Sequence, residues 1–474
     1  MSELARKTSR GAIWRAIETA GSEGMSFLMF VMLARLLVPE DFGLVALASS
    51  IVLTLQCLLQ FGLPEALIQR DRVDESMIRA AMAASAALAV ALVGFSWLIA
   101  WPLAWLLERP EFPRVFLSLV NVLLLQGLSF PLHALLRREL ELRAIAIRTL
   151  TATSVGGMVA LGMAWSGMGF WALVTQQLTV AAVGLVMLVR ACPFKPWRMR
   201  MDRLALRPLW AVARPVMAGQ FATQAARRLD AVVLGLFLGN HDIGIYFLIT
   251  RVIQAGQMVT QFSIGEIAMA VLSRLQHDRA RLLDGVRRAM RLTGFVCLLA
   301  FGALALLAPW LVPLVFGQTM AAAAEPLRTL ALFASAGALI STAVHALVSV
   351  GAATRASWLA VGASLFQLAA IGLFAGDGIA SLVVAIGVAQ LLLLPVAVEL
   401  LARTLQMSRI GLLADLAAVL GVFAIAWWLT RLGGLDATGI ALVLWSTGLF
   451  SIVMLLGGAW LFRRELAWRT SIHA

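Results

Sequence analysis

Six arginines fall inside long apolar stretches of this 474-residue chain: Arg15, Arg35, Arg214, Arg227, Arg228 and Arg251. A guanidinium in the middle of a membrane helix costs about 2.5–3.5 kcal/mol on insertion scales, so it faces protein or a watery cavity. Its planar fork matches the oxygens of phosphate and pyrophosphate, which makes an anionic ligand the natural chemistry of such a group. The neighbouring polar residues recur at helical spacing. Arg15, Glu18, Thr19, Ser22, Glu23 and Ser26 form one stripe, and Ser49, Gln56 and Gln60 a second. Gln220, Gln224, Arg227 and Arg228 form a third, and Arg251, Gln254, Gln257 and Gln261 a fourth. Such glutamines can hydrogen-bond sugar hydroxyls or join helices to one another.

Each group has a plainer alternative. Arg15, Arg35 and Arg214 lie near segment ends and can snorkel to the surface. Arg227 can pair with Asp230 three residues on, whereas Arg228 points away and Arg251 has no carboxylate at helical spacing. Arg228 and Arg251 are therefore the foremost substrate-facing cations. Glu23 and Glu18 are candidates for carrying a coupling proton or sodium ion, with Glu18 also placed to pair with Arg15; Glu266 is a third intramembrane carboxylate. Asp41 and Asp242 at helix starts read as N-caps. Cys57, Cys192 and Cys297 and the five histidines have no metal-ligand or redox spacing, so no cofactor or metal is expected.

The elements that hold these stripes are membrane helices. Apolar residues make up 61% of the chain and charged ones 13%, with a mean hydropathy of +0.91. A soluble fold of this length could not bury so much apolar surface. Runs long enough to span a bilayer predict fourteen helices. Six lie near 11–37, 42–66, 78–107, 112–136, 145–165 and 168–189. Eight more lie near 209–238, 243–272, 289–316, 322–350, 354–375, 379–402, 411–431 and 438–462. Loop cations number twenty-eight in one alternate set of connections, against Arg109, Arg114, Arg328 and Arg431 in the other. By the positive-inside rule both termini are cytoplasmic, in an inner membrane. The net charge of +13 is thus a topology signal and not a nucleic-acid footprint. The first segment carries Arg15, Glu18 and Glu23 without a small-residue cleavage site, so it reads as a retained helix. The extracytoplasmic connections are too short for a catalytic domain, which argues against a membrane glycosyltransferase or polymerase.

The chain contains an internal repeat. Leu33, Leu37, Asp41 and Gly43 recur 201 residues later as Leu234, Leu238, Asp242 and Gly244. That offset equals six helices plus the basic stretch Lys195–Arg207. The expected organisation is an N-terminal six-helix bundle over 1–190, a basic cytoplasmic linker over 191–208 and a second six-helix bundle over 209–404. Two further helices and a basic tail occupy 405–474. Two-repeat transporters place the substrate between their halves, and the polar stripes fall on equivalent helices of both.

Several stretches in order resemble the polysaccharide flippases of the multidrug/oligosaccharidyl-lipid/polysaccharide exporter superfamily. They are Gly11–Trp14 with Leu33–Leu44, Phe61–Arg70, Arg228–Asp230 with Leu238–Gly239 and Ile243–Tyr246, Val271–Asp278, Phe316–Gly317 and Pro326–Leu330. Gln318-Thr-Met departs from the family, which usually carries a Trp there. The resemblance implies an all-α fold of two six-helix bundles around a cationic cavity. It also implies movement of an undecaprenyl-pyrophosphate-linked oligosaccharide to the periplasmic leaflet by alternating access, for exopolysaccharide or lipopolysaccharide assembly. Partners would be that substrate, the bilayer and other polysaccharide-assembly proteins. A cation-coupled drug exporter or a peptidoglycan-precursor flippase of the same superfamily is the alternative; drug exporters handle cations, and Arg dominates here.

Overall fold

The structure is a computed structural model that describes residues 3–60, 62–70, 73–192, 194, 200, 202–260, 278–432 and 440–461. Side chains are not described at 3–10, 12, 69, 203, 212, 215–216, 218–220, 222–229, 259–260, 431–432, 440–444 and 460. Among the described residues the regular structure is entirely helical.

Seven helices open the chain: α1 (Glu3–Leu36), α2 (Pro39–Gln60), α3 (Leu63–Gln69), α4 (Glu75–Leu106), α5 (Phe112–Arg138), α6 (Leu142–Trp165) and α7 (Trp171–Ala191). Then come α8 (Arg203–Phe237), α9 (Asn240–Thr260), α10 (Arg279–Phe316), α11 (Ala324–Ser349), α12 (Ala353–Phe374), α13 (Ile379–Leu405), α14 (Arg409–Leu432) and α15 (Ile440–Leu461). Apart from the seven-residue α3, these coincide with the fourteen expected segments. Ten of the spans are long and apolar enough to cross a membrane. Of the other long helices, α1, α8 and α9 carry polar stripes, and α15 is described only in part. The chain is a polytopic membrane protein.

Helix boundaries correct two details. The segment expected over 42–66 is two helices, because α2 ends at Gln60 and Leu63 starts α3 with Pro64 in its first turn, where a missing N–H costs nothing. Helix α2 begins at Pro39 and α9 at Asn240, so Asp41 and Asp242 lie within the first turn instead of capping it.

The chain forms two compact units, 1–247 and 248–474. In the first, α6 packs on α1 and α7, α5 on α2, α4 and α7, and α8 on α2, α3 and α4. This last packing is why the unit extends past the basic linker. One end of the unit gathers basic connections. Arg138 donates to the carbonyls of Leu67 and Arg70, Arg70 to that of Pro208, and Arg137 pairs with Glu65 at 3.4 Å. The turns 37–38, 107–111, 166–170 and 238–239 meet at the opposite end. Trp105 and Trp165, both more than four-fifths exposed, stand at that end of α4 and α6, as a membrane-interface aromatic belt does.

In the second unit α11 packs against α10, α12 and α13, and the α14–α15 hairpin lies on α10. Phe450 and Phe423 meet edge to face at 5.7 Å within that contact, among Phe295, Leu298 and Met454. Arg287 of α10 holds Asp415 of α14 at 2.8 Å.

Candidate functional site

The polar stripe of α1 runs into a charged cluster toward the basic end of the first unit. Glu18 is buried, and its carboxylate accepts from Arg15 Nη1 at 3.0 Å and from Thr149 Oγ1 at 3.1 Å. The Arg15 side chain is itself 62% exposed, so its pairing leaves the guanidinium open to a further anion. Helix α6 brings Arg148 beside Thr149. The Arg148 Nε lies 3.5 Å from the Gly184 carbonyl of α7, and a Cβ on Gly184 would stand 2.7 Å from its Nη2. A side chain at 184 would make that guanidinium shift. Glu18 acts electrostatically on Arg148, and Arg148, Arg137 and Arg15 all act on His133 of α5. Nearby, Arg143 stacks over the Trp14 ring at 5.7 Å.

Arg148 is one of the twenty-eight cations counted with the basic connections, and His133 one of the five histidines without metal-ligand spacing. The structure places Arg148 nearly two turns inside α6, which packs on α1, and His133 inside α5. The signal that could have found Arg148 is the position of Glu141, which ends the connection seven residues earlier.

The other predicted residues are spread across both units. Gln56 is half-buried and Gln60 exposed on α2, while Ser49 of the same stripe is taken by Gln177 of α7 at 2.8 Å. Glu23 is half-buried on α1. The side chains of Gln220, Gln224, Arg227 and Arg228 lie outside the described residues, as do Gln261 and Glu266 altogether; only the helical placement of the first four on α8 is described. Arg251 is half-buried and Gln254 exposed on α9, in the second unit. In that unit Gln257 approaches the Ala334 carbonyl at 3.5 Å.

At the opposite end of the first unit a different set of residues converges. Arg109 is 9% exposed, and burial pushes its pKa below the usual guanidinium value. It donates to Asn240 Oδ1 and to the carbonyls of Leu238 and Gly235. Glu40 and His241 pair at 2.8 Å. Beside them a cavity of about 690 Å³ is lined by Trp101, Trp105, Glu108 and Arg109. Among the described residues no group of His, Cys, Asp or Glu could hold a metal ion.

Comparison with known proteins agrees with this architecture. The chain is 26% identical over 79% of its length to the succinoglycan biosynthesis transport protein ExoT of Rhizobium meliloti, spanning 76% of that protein. It is 24% identical over 66% of its length to the lipopolysaccharide biosynthesis protein WzxC of Escherichia coli, spanning 64% of it. The lipid II flippase MurJ, in an inward closed conformation, superposes with a TM-score of 0.74 at 12% identity, over 95% of this chain and 99% of that one. An inward-facing multidrug resistance MATE transporter of the MOP superfamily superposes at 0.64 and 14% identity, over 82% and 98%. The model of the polysaccharide biosynthesis proteins matches residues 32–325, and the chain belongs to that family.

Proposed function

We infer that this chain is a flippase that carries undecaprenyl-pyrophosphate-linked oligosaccharide from the cytoplasmic to the periplasmic leaflet, for exopolysaccharide or lipopolysaccharide assembly. The observation that carries the reading is Arg15. It is a cation on the polar stripe of a repeat helix, paired with buried Glu18 at 3.0 Å while its own side chain stays 62% exposed, in a chain of the polysaccharide biosynthesis family. Arginines of the repeat helices, Arg15, Arg227, Arg228 and Arg251, would hold the pyrophosphate. Gln56, Gln60, Gln224 and Gln254 would meet the sugars, and the lipid tail would remain in the bilayer. No covalent chemistry is needed. The basic end is cytoplasmic under this reading, with repeats over 1–190 and 209–404 and two added helices in 405–474.

The test is the lipid-linked oligosaccharide pool in cells carrying Arg228→Ala with Arg251→Ala, at checked membrane level. Accumulation on the cytoplasmic leaflet with loss of surface polysaccharide supports the reading. An unchanged pool with normal polysaccharide refutes it and directs attention to a drug or ion exporter.

A further inference from the structure

Gly43 of α2 and Gly244 of α9 are separated by 201 residues, the repeat offset, and the structure brings their helix starts together. A Cβ on Gly43 would fall onto the Asn240 carbonyl, and a Cβ on Gly244 onto the Pro39 carbonyl. Asn240 is Pro39 moved on by the same 201 residues. The contact is therefore reciprocal, each glycine receiving the backbone of the other turn, as at a two-fold interface. Phe30, Phe42 and Phe247 lie against it, with Phe42 stacked on Phe247 at 6.5 Å and Phe30 edge-on to both. No side chain larger than hydrogen fits between the turns, so the approach is as tight as two backbones allow.

Arg109 holds the second of these turns from outside. Glu108 takes a left-handed conformation with φ 55°, and the Arg109 amide returns to the Ala104 carbonyl at 3.0 Å. This fold of the α4–α5 connection aims the guanidinium at the α8–α9 turn. There it meets two carbonyls at the end of α8, where a cation is favoured by the helix dipole, and the side chain that opens α9. All its partners are neutral acceptors, so it clamps a backbone instead of balancing a charge.

We propose that the turns 37–43 and 238–244 form a seal at the end of the first unit opposite its basic connections, that this seal must part during each transport cycle, and that Arg109 is the positioning residue that latches it. The two glycines set its depth and Arg109 sets how firmly it stays closed. The proposal rests on the flippase reading for its cycle, but the closed contact itself can be tested without transport.

The experiment uses the full chain with Glu40→Cys and His241→Cys, the facing pair of the two turns, in a background where Cys57, Cys192 and Cys297 are replaced by Ala. A short bifunctional methanethiosulfonate joins the two thiols, and reductant releases them. Crosslinking yield reads the closed state, and the lipid-linked oligosaccharide pool reads transport. Locked protein is expected to stop clearing the pool, and reductant to restore it. Arg109→Ala is expected to slow crosslinking by about tenfold, the change that about 1.4 kcal/mol produces, with partial recovery in Arg109→Lys. Gly43→Val and Gly244→Val are each expected to slow it to a similar extent, which covers the case of a poorly folded Arg109 variant. Crosslinking that leaves transport unimpaired would overturn the seal. Unaltered crosslinking in Arg109→Ala would overturn the latch. If the unlocked chain has no effect on the pool while the crosslinking rates change as described, the flippase reading fails and the contact stands.

Discussion

Removing the Glu18 carboxylate separates a structural role from an ion-coupling one. In Glu18→Ala three effects combine. The Arg15 arm contributes under about 1 kcal/mol, because a side chain 62% exposed is screened by solvent. The Thr149 hydroxyl loses a charged acceptor, a change of about 1.5–3 kcal/mol, softened by its 3.0 Å alternative on the Ile145 carbonyl. Arg148 loses the nearby carboxylate that acts on it through space without a direct contact, a smaller change than either. These arms are not additive, so the expected destabilisation is about 1.5–3 kcal/mol in total, set by the Thr149 bond. Glu18→Gln keeps an acceptor for Thr149 and should lose about half of that. Adding Thr149→Val to Glu18→Ala should recover part of the loss, since the hydroxyl left without its charged acceptor is then gone. Reversible unfolding in mixed micelles supplies the free energies, and clearance of the lipid-linked oligosaccharide pool supplies the activity. The structural argument fails if Glu18→Ala is as stable as the parent chain. Such a variant, stable yet inactive, would instead mark Glu18 as the coupling carboxylate.

Gly184→Val should crowd Arg148, whose Nη2 lies 2.7 Å from the new Cβ position; because the flexible end of the arginine can give way, the loss should be at the low end of overpacking, about 1 kcal/mol, relieved when Arg148→Ala is added, in the same unfolding assay. Phe450→Ala empties a fully buried site on α15 and should cost about 3–5 kcal/mol, read as faster proteolysis of the α14–α15 hairpin. Gln177→Leu breaks the 2.8 Å bond to Ser49 and leaves a buried hydroxyl with one partner fewer, costing about 1–2 kcal/mol, whereas Gln177→Leu with Ser49→Ala should fall nearer the parent chain. Arg287→Ala should change stability by less than about 1 kcal/mol, because its bond to Asp415 sits at a partly exposed surface; a larger loss would mean the pair anchors α14.

The helices were legible because a bilayer demands about twenty apolar residues in a row, and that demand is local in sequence. The break at Gln60–Leu63 was not, since an apolar run continues across it and only Pro64 marks the new start. The repeat was visible in four matching residues, and the reciprocal glycine contact supplies the reason that Gly43 and Gly244 match. Arg109 illustrates the opposite case. By composition it was one of four cations on the sparse side, a topology marker. Its partners lie about 130 residues away in two backbone carbonyls and Asn240, and backbone acceptors leave no trace in residue types. His133 and Arg148 escaped for a related reason: they lie on separate helices, and periodicity describes one helix at a time. Arg228, placed first among the candidates by its angle from Arg227, still rests on periodicity.

The Glu40–His241 pair has a consequence for how such a chain could arise. The two residues occupy equivalent positions of the repeat and touch each other, so each meets its own counterpart. In an assembly of two identical copies that position would face itself, glutamate on glutamate or histidine on histidine, with no complementary charge attainable. Joining the copies into one polypeptide frees the two positions to diverge. The acid and the base now found there are what a duplicated, fused gene can encode and a symmetric dimer cannot.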